Sequence, residues 1–187
     1  MTKKQKDTTK VFDRSKFGIK GLKIHDTHDG YAYVCSFYYD QIKIAHVQHD
    51  GLGGDAMVDP LDSKAKQTLA DIENWLKTLP PIKSEYFELM WTLDLLIDEL
   101  VVEERTRREL KRLCRNKIVF AEARQGISAD NYLKNHNWYL YKNTRWNAEN
   151  KRRVLEMEGS DIFILNDVFK PIDLDEEPTI GRRDKTK

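Results

Sequence analysis

The chain has 187 residues, 40% of them hydrophobic and 34% charged, and carries a formal net charge of +1. This length and apolar content are sufficient for one domain, or two small ones, around a buried core. Because the net charge is near zero, the overall charge of the chain does not by itself predict a polyanionic partner. No segment approaches the roughly 20 consecutive apolar residues that cross a bilayer, and the lysine-rich start of the chain is not a secretory signal. We therefore expect a cytoplasmic protein without a membrane partner.

Charge is nevertheless strongly segregated along the chain. The net charge is +4 over residues 1–49, −7 over residues 50–100, +8 over residues 101–155 and −4 over residues 156–187. Segregation of this kind predicts separate basic and acidic surfaces. The two cysteines, Cys35 and Cys114, each fall in an apolar pattern. This pattern favours buried free thiols over a disulfide.

The first third of the chain predicts a short arm followed by a sheet. Residues 1–15 have the composition of a disordered basic arm, and residues 16–60 predict an antiparallel β-meander. Asp29-Gly30 and Asp40-Gln41 are turn signals between its strands. From the alternation of apolar, aromatic and β-branched residues, the strands are expected at residues 17–24, 31–39, 42–48 and 56–58.

Residues 61–117 predict two helices. Asp62 or Ser63 can cap the first, and Pro80-Pro81 ends it. The second is expected over Glu85–Asn116, with apolar early turns and arginine-rich later turns. Its predicted seam alternates steps of four and three residues, as in a helix packed along its length. The seam consists of Leu89, Leu93, Leu96, Leu100, Glu103, Arg107, Leu110 and Cys114.

The rest of the chain predicts a small C-terminal β-α-β unit over residues 118–169 and a disordered charged tail over residues 170–187. Its strands are expected at residues 118–123, 138–141 and 161–165, and its helix at residues 148–158, with Asn147 as the cap and Gly159 as the stop. Strands at both ends with helices between them predict an α+β fold. We expect residues 16–169 to form a single domain, with the meander and the C-terminal unit packed on two central helices.

Several short motifs resemble those of small uncharacterised proteins of bacteria, phages and mobile elements. These motifs are the Ile19–Lys23 opening, the glycine-rich turn Asp50–Gly54, Trp75, the Leu79-Pro80 and Leu100-Val101 steps, and the Leu110–Lys117 block before Ile118–Phe120. The resemblance spans roughly residues 17–123, whereas the histidine-rich turns and residues 128–150 depart from it. Because these motifs are structural, the resemblance implies no activity and no catalytic residue.

The basic half of the chain is the main candidate for a binding surface. Cations of the long helix and of the segment after it are interleaved with aromatic side chains, the combination that contacts phosphates and bases. Arginine forks can also grip the phosphate of a nucleotide. The alternative is a helix whose cations only solvate its outer face. The candidate residues are Arg105, Arg107, Arg108, Lys111, Arg112, Arg115, Lys142, Arg145, Trp146 and Arg152.

A repeated His-x-x-His-Asp-Gly motif is the second candidate. If the two turns met, their imidazoles and carboxylates would suit zinc, manganese or iron, or would serve acid–base chemistry. The alternative is that Asp-Gly simply forms turns flanked by polar residues. We expect no cofactor, with a divalent metal as the alternative. Its candidate ligands are His25, His28, His46, His49 and Asp50.

Two weaker patterns complete the list of candidates. The glycines of residues 51–54 would let backbone amides approach a phosphate, but the motif lacks the residues of a P-loop. Asp94, Asp98 and Glu99 would suit magnesium, or simply form a solvent face.

The sequence thus favours an accessory or binding protein over an enzyme, and we expect it to be encoded by a phage or mobile element. Its expected partner is nucleic acid or a nucleotide-like anion. The alternatives are an inhibitor that docks on a host protein and a metal-dependent hydrolase that uses the histidine turns. A homo-oligomer is left open.

Overall fold

The computed structural model confirms an α+β fold and divides the chain into two compact units, residues 1–104 and residues 105–187. That residues 16–169 form a single domain stays a prediction. The residues that the structure describes are 10–84, 86–122, 126–129, 131–134 and 137–172.

The first unit is built on the predicted antiparallel meander. Its strands are β1 (Phe17–Asp26), β2 (Tyr31–Tyr39), β3 (Ile42–His49) and β4 (Met57–Pro60), in the order β1-β2-β3-β4. The β2–β3 turn holds Asp40 and Gln41 at φ 49° and 65°, the pair of positive angles that matches the twist of a tight hairpin. Gly21, at φ 68°, lies where the β1–β2 register shifts, so a bulge interrupts the pairing of the first strand.

Two helices contribute to the core of this unit. Helix α1 (Ser63–Leu76) begins at the predicted cap, since Asp62 accepts a hydrogen bond of 2.7 Å from the backbone N–H of Ala65. The early turns of helix α2 (Leu93–Leu113) join the same apolar cluster as α1 and the sheet. Its fully buried members include Tyr33, Phe37, Ile72, Leu76, Leu96, Ile97 and Val101.

The long helix begins later than predicted. The expected start at Glu85 is wrong, because β5 (Ile82–Lys83) and β6 (Glu88–Leu89) form an antiparallel hairpin and the helix starts only at Leu93. Leu89 is an exposed strand residue rather than a seam position. The helix is capped at Thr92, whose hydroxyl accepts a hydrogen bond of 3.2 Å from the N–H of Leu95. Glu85 itself lies outside the described residues.

The second unit contains a three-stranded antiparallel sheet. Its order is β8-β7-β9. Its elements are β7 (Lys117–Glu122), β8 (Tyr139–Lys142), α3 (Ala148–Glu158), β9 (Ile162–Ile164) and α4 (Leu165–Phe169). The strand predicted to run to Leu165 ends one residue earlier, because Leu165 starts α4, a helix that the sequence did not predict. The predicted loop over residues 124–131 and the strand end at Ala123 lie partly outside the described residues.

Apolar residues of this unit form two clusters around the sheet. One cluster contains Leu110, Val119, Tyr132 and Leu165, and the other contains Ile118, Phe120, Val154 and Ile164. The late turns of α2 therefore take part in this core through Leu110, just as its early turns take part in the core of the first unit.

The described parts of the two predicted terminal segments make contacts. In the predicted arm, Phe12 is buried in the first core and a 3-10 turn covers residues 14–16. At the other end, the N–H of Ile172 donates a hydrogen bond of 3.2 Å to Asp167. Residues 1–9 and 173–187 lie outside the described residues. None of the helices in the described ranges combines the length and apolar character that a bilayer-spanning segment requires.

Candidate anion-binding site

A pocket of about 380 Å³ lies within the second unit, at the end of α2. It receives side chains from the last turn of α2 and the turn that follows it, from the segment before α3, and from α4 and the residue after it. Its lining residues are Lys111, Cys114, Arg115, Arg145, Trp146, Asn166, Phe169 and Lys170.

Among the described residues of this lining, every charged side chain is a cation. Lys111, Arg115, Arg145 and Lys170 are all exposed, and none of the described lining residues is a carboxylate. Within the described ranges, none of these four cations forms an ion pair with a carboxylate of the chain. Their positive charge is therefore available to an anion that enters the pocket.

A buried asparagine fixes the turn that carries Arg115. Asn166 is only 1% exposed, and its side-chain oxygen accepts a hydrogen bond of 2.7 Å from the N–H of Val119. Its amide nitrogen donates to the carbonyls of Cys114 and Lys117, at 3.2 and 2.9 Å. The end of α2, the start of β7 and α4 are thus joined through one side chain. Because its polar atoms are all used, Asn166 positions the pocket rather than contacting a ligand.

The orientation of Trp146 is also fixed. Its indole N–H donates a hydrogen bond of 2.8 Å to the carbonyl of Lys170, and the ammonium of Lys151 lies 5.9 Å from the ring centroid. Lys151 is itself held by Asp167 at 3.0 Å and by the carbonyl of Ile172 at 2.6 Å. Lys151 is thus a structural cation, and the indole is held at the pocket wall without a large loss of side-chain entropy on binding.

Four of the ten predicted binding residues line the pocket, namely Lys111, Arg115, Arg145 and Trp146. The others lie outside its lining. Arg105 pairs with Glu109 at 3.6 Å on α2, and Lys142 stands opposite Lys117 in the β7–β8 ladder. The remaining predicted binding residues are exposed on helices: Arg107, Arg108 and Arg112 on α2, and Arg152 on α3.

The predicted binding residues did not include four members of the lining, Cys114, Asn166, Phe169 and Lys170. Asn166 and Phe169 belong to α4 and Lys170 follows it, in a segment whose net charge is negative, so composition directed attention away from these three. Cys114 is one of the lining residues. Burial raises the pKa of its thiol to about 12, so the thiol stays protonated near neutral pH.

The histidine turns of the first unit do meet. The C-terminal ends of β1 and β3 lie at the same end of the meander. The hydroxyl of Thr27 donates a hydrogen bond of 2.8 Å to the carbonyl of Gly51. His49, however, uses both ring nitrogens within its own loop: one accepts from the N–H of Gly51 at 2.9 Å and the other donates to the carbonyl of Gly54 at 2.8 Å. The ring is therefore occupied by structural hydrogen bonds.

The other candidate metal ligands are dispersed. His25 and His28 are exposed at the β1–β2 turn, His46 is exposed in the middle of β3, and Asp50 accepts a hydrogen bond from the N–H of Leu52 at 2.9 Å. Across the parts of the chain that the structure describes, no three His, Cys, Asp or Glu residues are grouped to hold a metal ion. The metal site stays a prediction.

The two weaker candidates have structural partners. In the glycine-rich turn, the amides of Gly51 and Leu52 are already bonded to His49 and Asp50, which leaves them unavailable to a phosphate. On α2, each candidate carboxylate also has its own partner. Asp94 accepts from the N–H of Ala56 at 2.8 Å, Asp98 accepts from the hydroxyl of Tyr33 at 2.8 Å, and Glu99 pairs with Arg14 at 2.5 Å.

Comparisons with family models, with curated proteins and with solved structures found no match to this chain. The resemblance to small phage and mobile-element proteins therefore stays a prediction.

Proposed function

We propose that this protein binds nucleic acid or a nucleotide-like anion through the second unit, with the pocket at the end of α2 as the centre of the binding surface. The observation that supports this proposal is the lining itself. Its described residues include four exposed cations and two aromatic rings, and none of them is a carboxylate. In a host cell, the protein would act as an accessory factor of a phage or mobile element.

The chemistry of these residues suits phosphate. Arg115 and Arg145 can each present a planar fork to two phosphate oxygens, whereas Lys111 and Lys170 supply point charges. Trp146 and Phe169 offer ring surface to a base. The remaining cations of α2 and α3 would extend the contact along a polynucleotide, and each phosphate that is neutralised would release counterions.

Cations in the last turn of a helix also stabilise the helix dipole. This alternative explains Lys111 but not Arg115, which lies in the turn after α2, nor Arg145 or Lys170, which come from other segments. The two explanations differ in their consequences, because dipole stabilisation affects the free energy of unfolding and leaves ligand affinity unchanged.

The test is binding to single-stranded and double-stranded oligonucleotides, titrated with salt. For the parent chain we expect a steep linear fall of log affinity with log salt concentration. Replacing Arg115 and Arg145 by Ser should weaken binding by about tenfold or more and reduce the slope by roughly 1.4 to 1.8, the effect of two lost phosphate contacts.

The matched control is Lys64→Ser with Lys66→Ser, which removes the same charge from exposed positions of α1 in the first unit. This control should retain the affinity of the parent at every salt concentration. An unchanged affinity in the R115S/R145S protein, with its fold intact by circular dichroism, would overturn the proposal.

A second candidate function, an inhibitor that docks on a host protein, is favoured by the β5–β6 hairpin. Its turn is held by Ser84, whose hydroxyl accepts from the N–H groups of Tyr86 and Phe87 at 3.2 and 3.1 Å. The turn thereby presents two large aromatic side chains, 87% and 58% exposed. Exposed aromatic residues on a preorganised turn are typical anchors of protein interfaces.

The two candidates are separated by retention of host proteins on the immobilised chain from nuclease-treated lysate. A host inhibitor should retain the same protein without nucleic acid, and Tyr86→Ser with Phe87→Ser should abolish this retention while R115S/R145S leaves it intact. Equal retention by the parent and the Y86S/F87S protein would exclude the hairpin as the docking site.

A further inference from the structure

We propose that the pocket at the end of α2 accepts one terminal nucleotide as its phosphate monoester, and that internal phosphodiesters contact only the cations around it. This inference rests on the proposed function and specifies its ligand. The phosphate would lie among Lys111, Arg115, Arg145 and Lys170, and the base would contact Trp146 or Phe169.

The size of the pocket favours a single nucleotide. Its volume of about 380 Å³ is near the lower end of the range of about 300 to 1,000 Å³ in which small-molecule sites fall. The lining also includes the buried Asn166, which cannot move aside without breaking three hydrogen bonds.

The charge of the pocket favours a monoester over a diester. A phosphate monoester carries a charge of about −1.5 to −2 at pH 7, since its second pKa is about 6. Each phosphodiester of a nucleic-acid backbone carries only one negative charge. Four cations and no carboxylate among the described lining residues favour the additional negative charge of a monoester.

The ligand, rather than the protein, should then set the pH dependence of binding. The titratable groups that line the pocket are the cations Lys111, Arg115, Arg145 and Lys170 and the thiol of Cys114, whose pKa burial raises to about 12. None of the described lining residues is a carboxylate or a histidine. Affinity for a monoester should therefore rise with pH through about 6, as the ligand gains its second charge, whereas affinity for a diester should stay constant.

The experiment measures the affinity of the full chain by calorimetric titration with four probes: adenosine 5′-monophosphate, its methyl ester, adenosine and inorganic phosphate. We expect the monophosphate to bind roughly tenfold or more tightly than its methyl ester at pH 7.5, and to lose most of that advantage at pH 5. Adenosine and inorganic phosphate should each bind more weakly than the monophosphate, because each lacks one half of the contacts.

Two variants locate the effect. R115S/R145S should abolish monophosphate binding. Arg112→Ser, which removes a cation of the same helix that lies outside the pocket lining, should leave it unchanged while weakening binding of a long oligonucleotide. Circular dichroism confirms the fold of both.

The outcomes distinguish this inference from the proposed function. Equal affinity for the monophosphate and its methyl ester would overturn the terminal-nucleotide assignment, even if oligonucleotides still bind. Equal affinity for the monophosphate and inorganic phosphate would overturn the role of the aromatic rings and leave a simple anion site. Absence of binding to every oligonucleotide and every phosphate probe would overturn both proposals.

Discussion

Asn166 illustrates how one side chain can determine a site that it does not contact. It is buried, and its three hydrogen bonds satisfy one backbone donor and two backbone acceptors around the end of α2. Asn166→Ala would leave these groups unpaired in an apolar environment. We expect it to lower the free energy of unfolding by about 2 to 4 kcal/mol, measured by urea denaturation.

The neighbouring Asn116 supplies the control for this substitution. It is exposed in the turn after α2, and Asn116→Ala should change the free energy of unfolding by less than about 0.5 kcal/mol. If N166A were as stable as N116A, the three hydrogen bonds would contribute nothing net and Asn166 could not be what positions Arg115.

Gly51 is a second position at which a single residue determines local structure. Its φ is +77°, and a Cβ there would lie 2.7 Å from the Thr27 methyl group and 2.8 Å from the backbone nitrogen of Ala32. Gly53 has a similar φ of +88° but open space around it. Gly51→Ala should therefore cost about 1 to 3 kcal/mol more than Gly53→Ala in thermal or urea unfolding, because overpacking is added to the shared backbone strain. Equal costs would show that the β1–β2 turn yields to the added methyl group.

The raised pKa of Asp98 predicts that the stability of the first unit depends on pH. Burial raises the pKa of its carboxyl above the ordinary 3.8, and the charge of Asp94 adds to this effect, whereas the hydrogen bond from Tyr33 opposes it. A raised pKa in the folded state means that the folded state binds the proton more tightly than the unfolded state. The stability contributed by this carboxyl is therefore greatest at low pH and falls as pH rises from its unfolded pKa through its folded pKa.

Asp98→Asn keeps an oxygen that can accept the Tyr33 hydroxyl and removes the titration. Relative to the parent, D98N should be more stable at pH 8, and this difference should decrease as pH is lowered toward 4. The measurement is urea denaturation of both proteins across that range, with the exposed Asp59→Asn as the control. A difference that grows toward acid pH would contradict the sign of the shift.

At the scale of elements, the sequence predicted those whose boundaries are set by local chemistry. The Asp40-Gln41 turn, the Asp62 cap and the Asn147 cap all form where the residues indicated, because each depends only on neighbours in the chain. The start of α2 could not be predicted in this way. Leu89 continues the helical spacing of Leu93 and its successors, so periodicity alone extends the helix backward into the hairpin.

The candidate site was predictable only in part, for a related reason. Lys111 and Arg115 are one helical turn apart, and Arg145 and Trp146 are adjacent, so composition and spacing identified both pairs. That these residues line one pocket together with Phe169 and Lys170 depends on α4, a five-residue helix that follows β9 directly. Nothing in the local sequence marks Asn166 as the buried residue that joins these segments, since its burial is a property of the tertiary structure.

At the scale of the whole molecule, α2 is shared by the two compact units. Leu96, Ile97 and Val101 belong to the core of the first unit, and Leu110 belongs to a core of the second. Helix formation is cooperative along a continuous segment. We therefore expect the two units to unfold in one transition, which is also what a single domain over residues 16–169 requires.

The helix caps provide a test of this expectation. Asp62 caps α1 in the first unit, and Asn147 caps α3 in the second by accepting from the N–H of Asn150 at 2.8 Å. Asp62→Ala and Asn147→Ala should each lower the free energy of unfolding by about 1 kcal/mol. If unfolding is a single transition, either substitution should shift the urea midpoint by the same amount whether it is followed by tryptophan fluorescence or by far-ultraviolet circular dichroism.

Independent units would give a different pattern. D62A would then shift only the transition reported by tryptophans of the first unit, Trp75 and Trp91, and N147A would shift only that reported by Trp138 and Trp146. Replacing one pair of tryptophans by Phe assigns the fluorescence signal to the other unit. If D62A shifted one urea midpoint and N147A shifted another, the expectation of a single transition would be contradicted. In that case α2 would connect the two cores without coupling their unfolding.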